Sequence, residues 1–408
     1  MPRRASAHLR LVSDAHVRRH FDHIPGEDTA RDLLARVNAR APAGAPVRPG
    51  ARPLWIYGAS ALGRRGHAYF RAVGQAVSGV IDAEASAYVN DPAWAGICML
   101  APDVVPAGVR AGALVAIADA GRPFTQTEEM LNDLGWRHCV PLHDVTEAFV
   151  DQRPLASGWF APRLGADELE AAGRVLGGFS DAESRAHYLR VAAWRFARQE
   201  WDFAGAPVEP ATCFFIPDVT RALRPGERAL DGGAHHGAVI ARLLERAPGP
   251  ISAIWAVEPD PDNRAALQAW VDQLDLDLRA RVLILDAVLG DRAAAVRFHR
   301  GLGPCSRIAA SGQTLRAAVP LDALALDPSF VKLHLEGGEL KALVGARQTL
   351  LRHRPIIAAT VHHDAAGLID TPAWLMRELP DYAVLMRTHG WCGSGAVLYA
   401  IPKERTLP

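Results

Sequence analysis

Residues 228–247, RALDGGAHHGAVIARLLERA, constrain the fold more than any other stretch of this chain. An apolar strand ends at Asp231 and passes through Gly232, Gly233 and Gly237 straight into a helix with apolar residues three and four apart. Glycines at such a junction permit a tight turn and let a ligand come close to the backbone, while the helix N-terminus behind them favours a carboxylate or a phosphate. A nucleotide-like ligand is implied. Further along, a second strand ends in VEPD, where the carboxylate of Glu258 is placed to accept hydrogen bonds from both hydroxyls of a ribose. A third strand ends at Asp286, in position to meet an adenine edge. Any one of these carboxylates alone reads equally well as a helix cap or a solvated loop residue. Three at successive strand ends read better as one site, because they lie along the carboxyl edge where open α/β sheets bind ligands.

From about residue 211 strands and helices alternate. RALDGG, AIWAVEPD, RVLILDAVL, FVKLHLEGG, IIAATVHH, YAVLMRTH and AVLYAIP are strand candidates. Helix-like stretches or longer connections separate the first five, which predicts right-handed crossovers in a mostly parallel sheet; the last two strands predict an antiparallel finish. Residues 54–150 repeat the pattern on a smaller scale, with strands in PLWIYG, AVSGVID and ALVAIA and a Gly-rich turn after the first. Helical periodicity over 165–200 makes 151–210 a helical connector, and 1–53 is an N-terminal helical segment (26–40) followed by a linker of small residues and proline (41–53). The expected fold class is α/β: a mostly parallel sheet over 211–408 and a second, smaller Rossmann-like α/β domain over 54–150.

Composition excludes several function classes. At 408 residues the chain exceeds one average domain, and 49% hydrophobic with 22% charged residues is ordinary for a globular protein. Lys plus Arg equals Asp plus Glu at 45 each, so no global field grips nucleic acid or an anionic membrane, and neither is an expected partner. No window reaches the roughly 18 apolar residues of a membrane span, and the opening MPRRASAHLRLVSDAHVRRH lacks the apolar stretch of a secretory signal; a cytoplasmic location is expected. Five scattered cysteines with no CxxC pair point to buried free thiols. The oligomeric state is left open, since no coiled-coil heptads are evident.

The segments DGGAHHG, AVEPDPDN, DAVLGD, VKLHLEGGELKALVGAR and RPIIAATVHH follow one another as they do in FkbM-type S-adenosylmethionine-dependent methyltransferases. The chain resembles that family over about residues 211–402, and EGGELKALVGAR is the most specific part. The resemblance implies a class I methyltransferase fold, S-adenosyl-L-methionine as cofactor, and O-methylation of a sugar, polysaccharide or secondary-metabolite hydroxyl. A small-molecule or glycan acceptor is then the partner. It further implies that Asp231, Gly233 and Gly237, with Gly232 among them, cradle the methionine portion, that Glu258 holds the ribose, and that Asp286 with Ala287 borders adenine. Residues 54–150 look like the nucleotide-binding-like module that precedes the catalytic domain in some members.

One departure concerns the chemistry. Where many members read K-x-D-x-E-G, this chain has Lys332, Leu333, His334, Leu335, Glu336 and Gly337. Period-two alternation turns Lys332, His334 and Glu336 to one face, which brings His334 to the crevice. Transfer to a hydroxyl needs a positioned acceptor and a proton acceptor, and an imidazole oriented by Glu336 or a neighbouring carboxylate suits that task. Lys332 belongs to the family motif and is expected to support the acceptor pocket. His362 and His363 end the next strand and are second candidates for acceptor binding, although alternation turns only one of them inward. The set His334, Glu336, His362, His363 also has the ligand types of a transition-metal site. Acid–base use ranks above it and no metal is expected: spacing cannot test ligands on separate strands, and a magnesium site would prefer the aspartate that His334 replaces. His235 and His236 either touch the cofactor or cap the helix.

Two rival readings remain. IYGASALGRRG places Gly58, Ser60 and Gly63 where a dinucleotide fingerprint wants three glycines, with Asp82 after the next strand, so an NAD-type oxidoreductase is one alternative. The serine crowds the pyrophosphate approach, and a purely structural turn stands beside that reading. The other alternative is a non-catalytic cofactor-binding scaffold, favoured by the histidine at position 334.

Overall fold

The computed structural model describes residues 16–153, 155, 159–364 and 366–406. Arg228–Gly232, buried over its last four residues, lies in the middle of a seven-stranded sheet. Ala253–Val257 and then Val282–Leu285 flank it on one side; Phe330–Leu333, Ile356–Thr360, Ala396–Pro402 and Tyr382–Thr388 follow on the other. The first five of these in chain order pair in parallel, and Ala396–Pro402 inserts antiparallel between Ile356–Thr360 and Tyr382–Thr388. In sequence order the strands run 3-2-1-4-5-7-6, which is the class I methyltransferase arrangement. The direction of winding reverses between Arg228–Gly232 and Phe330–Leu333, and the crevice outside such a switch point is where an open α/β sheet takes its ligand.

The smaller sheet has five parallel strands in the order Met99–Leu100, Gly79–Ile81, Leu54–Tyr57, Leu114–Ile117, His138–Pro141. Its two outer strands were not anticipated. One is only two residues long and the other, HCVP, carries no apolar run. At the Gly-rich turn, Gly58 has φ +99° and a Cβ on Gly63 would lie 1.9 Å from the Gly58 carbonyl oxygen, so the helix Ala61–Ala72 rests on the turn only because residue 63 has no side chain. Gly63→Ala is therefore expected to destabilise the protein by about 1–3 kcal/mol, as overpacking against backbone does; a urea midpoint unchanged from wild type would show that the turn gives way freely. Asp82 accepts from the amide of Ala59 at 2.7 Å and from that of Glu84 at 2.8 Å. The Asp82 carboxylate thus ties the Gly-rich turn to the residues that follow its own strand.

Three segments depart from the sequence-based expectation. The connector holds the helices Ala166–Gly178 and Ala182–Ala197, but the second stops at Arg198, in the left-handed region at φ 53°, and Gln199–Phe203 becomes a strand paired in parallel with Val17–Phe21. Ahead of the expected helix, found at Glu27–Asn38, the chain therefore holds a strand as well. After the third strand of the large sheet, Val288–Leu289, Ala294–His299, Arg307–Ile308 and Thr314–Val319 form a separate four-stranded sheet. All five cysteines are free as expected, but only Cys139 and Cys305 are buried; Cys213 and Cys392 are partly buried and Cys98 is exposed. Among the described residues no helix is long and apolar enough to cross a membrane.

Candidate active site

A cavity of about 190 Å³ opens at the carboxyl edge of the large sheet. Val257, Ala287, Leu289, Phe298 and Ile308 give it apolar walls, and Glu258, Lys332 and His334 are among its polar groups. Glu258 is buried where its strand ends. One of its oxygens accepts from the His235 amide at 2.8 Å, the other from the Asp260 amide at 2.9 Å and from the Asn263 side chain at 3.4 Å. Burial raises its pKa against those hydrogen bonds. Each carboxylate oxygen has lone-pair capacity for further donors, so a vicinal diol fits the group, and the apolar walls beside it fit a flat heterocycle.

The cavity's other side is a loop that no motif announced. Gly303, Pro304 and Ser306 line the cavity. Asp260 holds the loop by accepting from the Gly301 amide at 2.8 Å and the Ser306 hydroxyl at 2.6 Å, and Asn263 donates to the Gly303 carbonyl at 2.9 Å. These bonds hold Asp260 below the usual carboxylate range despite its burial. The start of the connector and the smaller domain brace the same loop: Arg153 donates to the Gly301 carbonyl at 3.0 Å, and Cys305 packs in one cluster with Tyr69 and Leu142.

Beneath the cavity Lys332 organises the turn. Its ammonium lies 2.8 Å from Asp231 Oδ1 and donates to the carbonyls of Gly233 at 2.8 Å and Gly232 at 3.3 Å. Lys332 and Gly233 reach the cavity wall, whereas Asp231, Gly232 and Gly237 do not. The turn's amides are used internally, Gly233 and Ala234 donating to the Val257 carbonyl and Gly237 to that of Ala234. His235 lines the cavity, its ring stacked on His236 with centroids 3.6 Å apart, and burial, with His236 and Lys332 adding to it, pushes its pKa down to about 4. Asp286 is placed differently from the expectation. Its carboxylate is paired with Arg264 at 2.9 Å and with Arg316, and only its neighbour Ala287 faces the cavity.

Where the strand Phe330–Leu333 ends, His334 remains one-third exposed to the cavity and its Nε2 lies 3.1 Å from Glu336 Oε1. Glu336 itself is almost wholly buried and sits at φ 54°. The same oxygen is 3.2 Å from His363 Nε2, while His363 Nδ1 is 3.2 Å from Glu339 Oε1. Glu339 also accepts from the amides of Leu335 and Gly337 and from the Thr360 hydroxyl. Burial would lower the pKa of His363, but Glu336 and Glu339 raise it to about 9; burial would raise both carboxyls, yet contact with His363 holds Glu336 well below its usual range and Glu339 at about 2. Burial lowers the pKa of His334 and His362. Both His362 and His363 join this cluster, their rings 4.1 Å apart. Alternation fails because the strand stops at Thr360 and the two histidines lie beyond it. Arg195 fixes that exit by donating to the carbonyls of His362 and Asp364.

No family model matches the sequence, and no curated protein matches it either. Among solved structures, a methyltransferase FkbM from Methylobacillus flagellatus KT superposes with a TM-score of 0.56 over 93% of this chain and 94% of its own, at 20% identity. The chain has the class I methyltransferase fold. The likeness to that methyltransferase covers nearly the whole chain, so it takes in the smaller sheet and the connector as well as the large sheet. A precorrin-6y C5,15-methyltransferase from Geobacter metallireducens GS-15 is 15% identical, with a TM-score of 0.29 over 45% of this chain and 82% of its own. Fibrillarin from Aeropyrum pernix, solved with natively bound S-adenosyl-L-methionine, is 12% identical, with a TM-score of 0.28 over 47% and 70%. At that level of superposition the last two say nothing about this chain.

Proposed function

We propose that this protein is an FkbM-type methyltransferase that uses S-adenosyl-L-methionine to methylate a hydroxyl of a sugar, polysaccharide or secondary metabolite. One observation carries the reading: a single cavity at the switch point is lined both by a buried carboxylate suited to a ribose diol, Glu258, and by a histidine backed by a buried carboxylate, His334 with Glu336. In this reading Glu258 and the apolar walls hold the nucleoside, and the loop tied down by Asp260 and Asn263 covers it. The bound cofactor supplies an electrophilic methyl group on a sulfonium. Low-pKa His334 is neutral near pH 7 and able to take the proton of an acceptor hydroxyl, with Glu336 orienting the ring. The smaller domain, through its grip on the Gly301–Ser306 loop, positions the cavity's cover rather than binding a second nucleotide.

Calorimetric titration with S-adenosylmethionine tests the cofactor site. Wild type should bind saturably, and Glu258→Ala should bind about 10- to 100-fold more weakly, the scale of losing charge-assisted hydrogen bonds. Because alanine also strands the His235 and Asp260 amides, Glu258→Gln serves as the comparison and should lie between the two. No wild-type binding at millimolar cofactor would sink the methyltransferase reading.

A further inference from the structure

The imidazole cluster beside the cavity has the geometry of a ligand shell. One ligand atom from each of His334, His362 and His363 lies within 4.8 Å of the others. Glu336 Oε1 stands 3.1 Å from His334 Nε2 and 3.2 Å from His363 Nε2. Donors bound to one ion at about 2.0–2.2 Å lie about 3–4 Å from each other, so imidazoles up to 4.8 Å apart would have to close by up to about 1 Å to coordinate.

The far sides of the rings agree. His362 Nδ1 lies 3.3 Å from the Ala396 carbonyl, which can only accept, so that nitrogen carries the hydrogen and Nε2 keeps its lone pair. His363 Nδ1 lies 3.2 Å from Glu339, and donating there leaves its Nε2 directed at Glu336 with a lone pair. A carbonyl or carboxylate behind the imidazole is how metal-bound histidines are commonly oriented. The left-handed backbone of Glu336, a non-glycine residue, is the kind of strain that persists where a site requires it.

We propose that His334, His362 and His363 bind one divalent first-row transition-metal ion, with the Glu336 carboxylate beside two of them and with Glu339 and the Ala396 carbonyl orienting two of the imidazoles. An imidazole-rich set suits zinc, iron or nickel rather than magnesium or calcium. This inference does not rest on methyl transfer, and an ion on His334 would occupy the lone pair that the proton-accepting role needs, so the two roles exclude each other at that ring. Its rival is a metal-free network in which His363 is an imidazolium bonded to both carboxylates.

The two part cleanly on metal content. Protein stripped with a chelator is titrated with zinc chloride by calorimetry, and bound zinc is counted by elemental mass spectrometry. One equivalent is expected, and cobalt(II) in place of zinc should give visible ligand-field bands. His362→Ala and Glu336→Gln should each weaken zinc binding by at least about tenfold, and Glu339→Gln by about 10- to 100-fold, the usual effect of losing an orienting partner. His23→Ala, at an exposed histidine far along the chain from the cluster, should change nothing. Circular dichroism melts of the stripped variants establish folding, and wild-type stoichiometry decides the matter even where a variant does not fold. Less than one equivalent in wild type, or unchanged affinity in folded His362→Ala, overturns the proposal. A His363 ring that remains protonated in zinc-treated protein by NMR would establish the imidazolium network instead.

Discussion

His334→Ala should lower turnover by about 10²–10⁴-fold, the range for losing a positioned acid–base group, while leaving affinity for S-adenosylmethionine nearly unchanged. The expectation rests on placement. His334 is the member of its cluster that faces the cavity, and its partner Glu336 is buried beneath it. The residues placed to hold a nucleoside, Glu258 and the apolar walls, make no hydrogen bond to His334, so their grip should survive its removal. The measurement is single-turnover methyl transfer to any acceptor that wild type accepts, together with cofactor calorimetry on the same variant. Turnover equal to wild type would take His334 out of the mechanism. Loss of turnover together with loss of bound zinc would assign it the role of ligand, whereas loss of turnover with metal content intact would assign it the proton.

The strand ends show what the sequence made legible. Glu258 was readable because the strand, the acidic residue and the helix after it are contiguous, and the parallel pairing with an antiparallel finish was readable from the alternation and the two closing strands; the 3-2-1-4-5-7-6 order leaves no local mark. Asp286 obeys the same local rule and yet is turned from the cavity. Arg264, on the helix Pro261–Val271, and Arg316, on the strand Thr314–Val319, claim its carboxylate, and a pairing between separated segments leaves no local mark. Glu339 was passed over for a related reason. It stands inside EGGELK, where it looks like an ordinary first-turn acid, and only the adjacent strand exit brings His363 and Thr360 to it. The strand Gln199–Phe203 was hidden because helical apolar spacing runs on to Trp201; its partner, Val17–Phe21, lies far away in sequence, in the N-terminal segment. The four-stranded sheet was missed because its strands are short or largely exposed, so that few apolar residues mark them.

Lys332→Met should destabilise the protein by about 3–5 kcal/mol, the usual consequence of removing one partner from a buried ion pair. Lys332 and Asp231 side chains are 2% and 5% exposed, and Asp231 Oδ2 has no hydrogen-bond partner among the described residues. Without the ammonium, a buried carboxylate and the carbonyls of Gly232 and Gly233 lose their cation together. Urea denaturation measures the loss, and a change below about 1 kcal/mol would mean that water reaches the pair. The double variant Lys332→Met/Asp231→Leu removes both charges and should recover much of the stability, since buried pairs replaced by apolar groups are often no less stable. Cofactor affinity should not recover with it. The lysine binds the turn's carbonyls as well as Asp231, so an apolar replacement can restore the core beneath the cavity without restoring the shape of the turn above it. Recovery of both properties in the double variant would reduce Lys332 to packing, whereas recovery of stability alone would establish that its hydrogen bonds set the wall against which the cofactor binds.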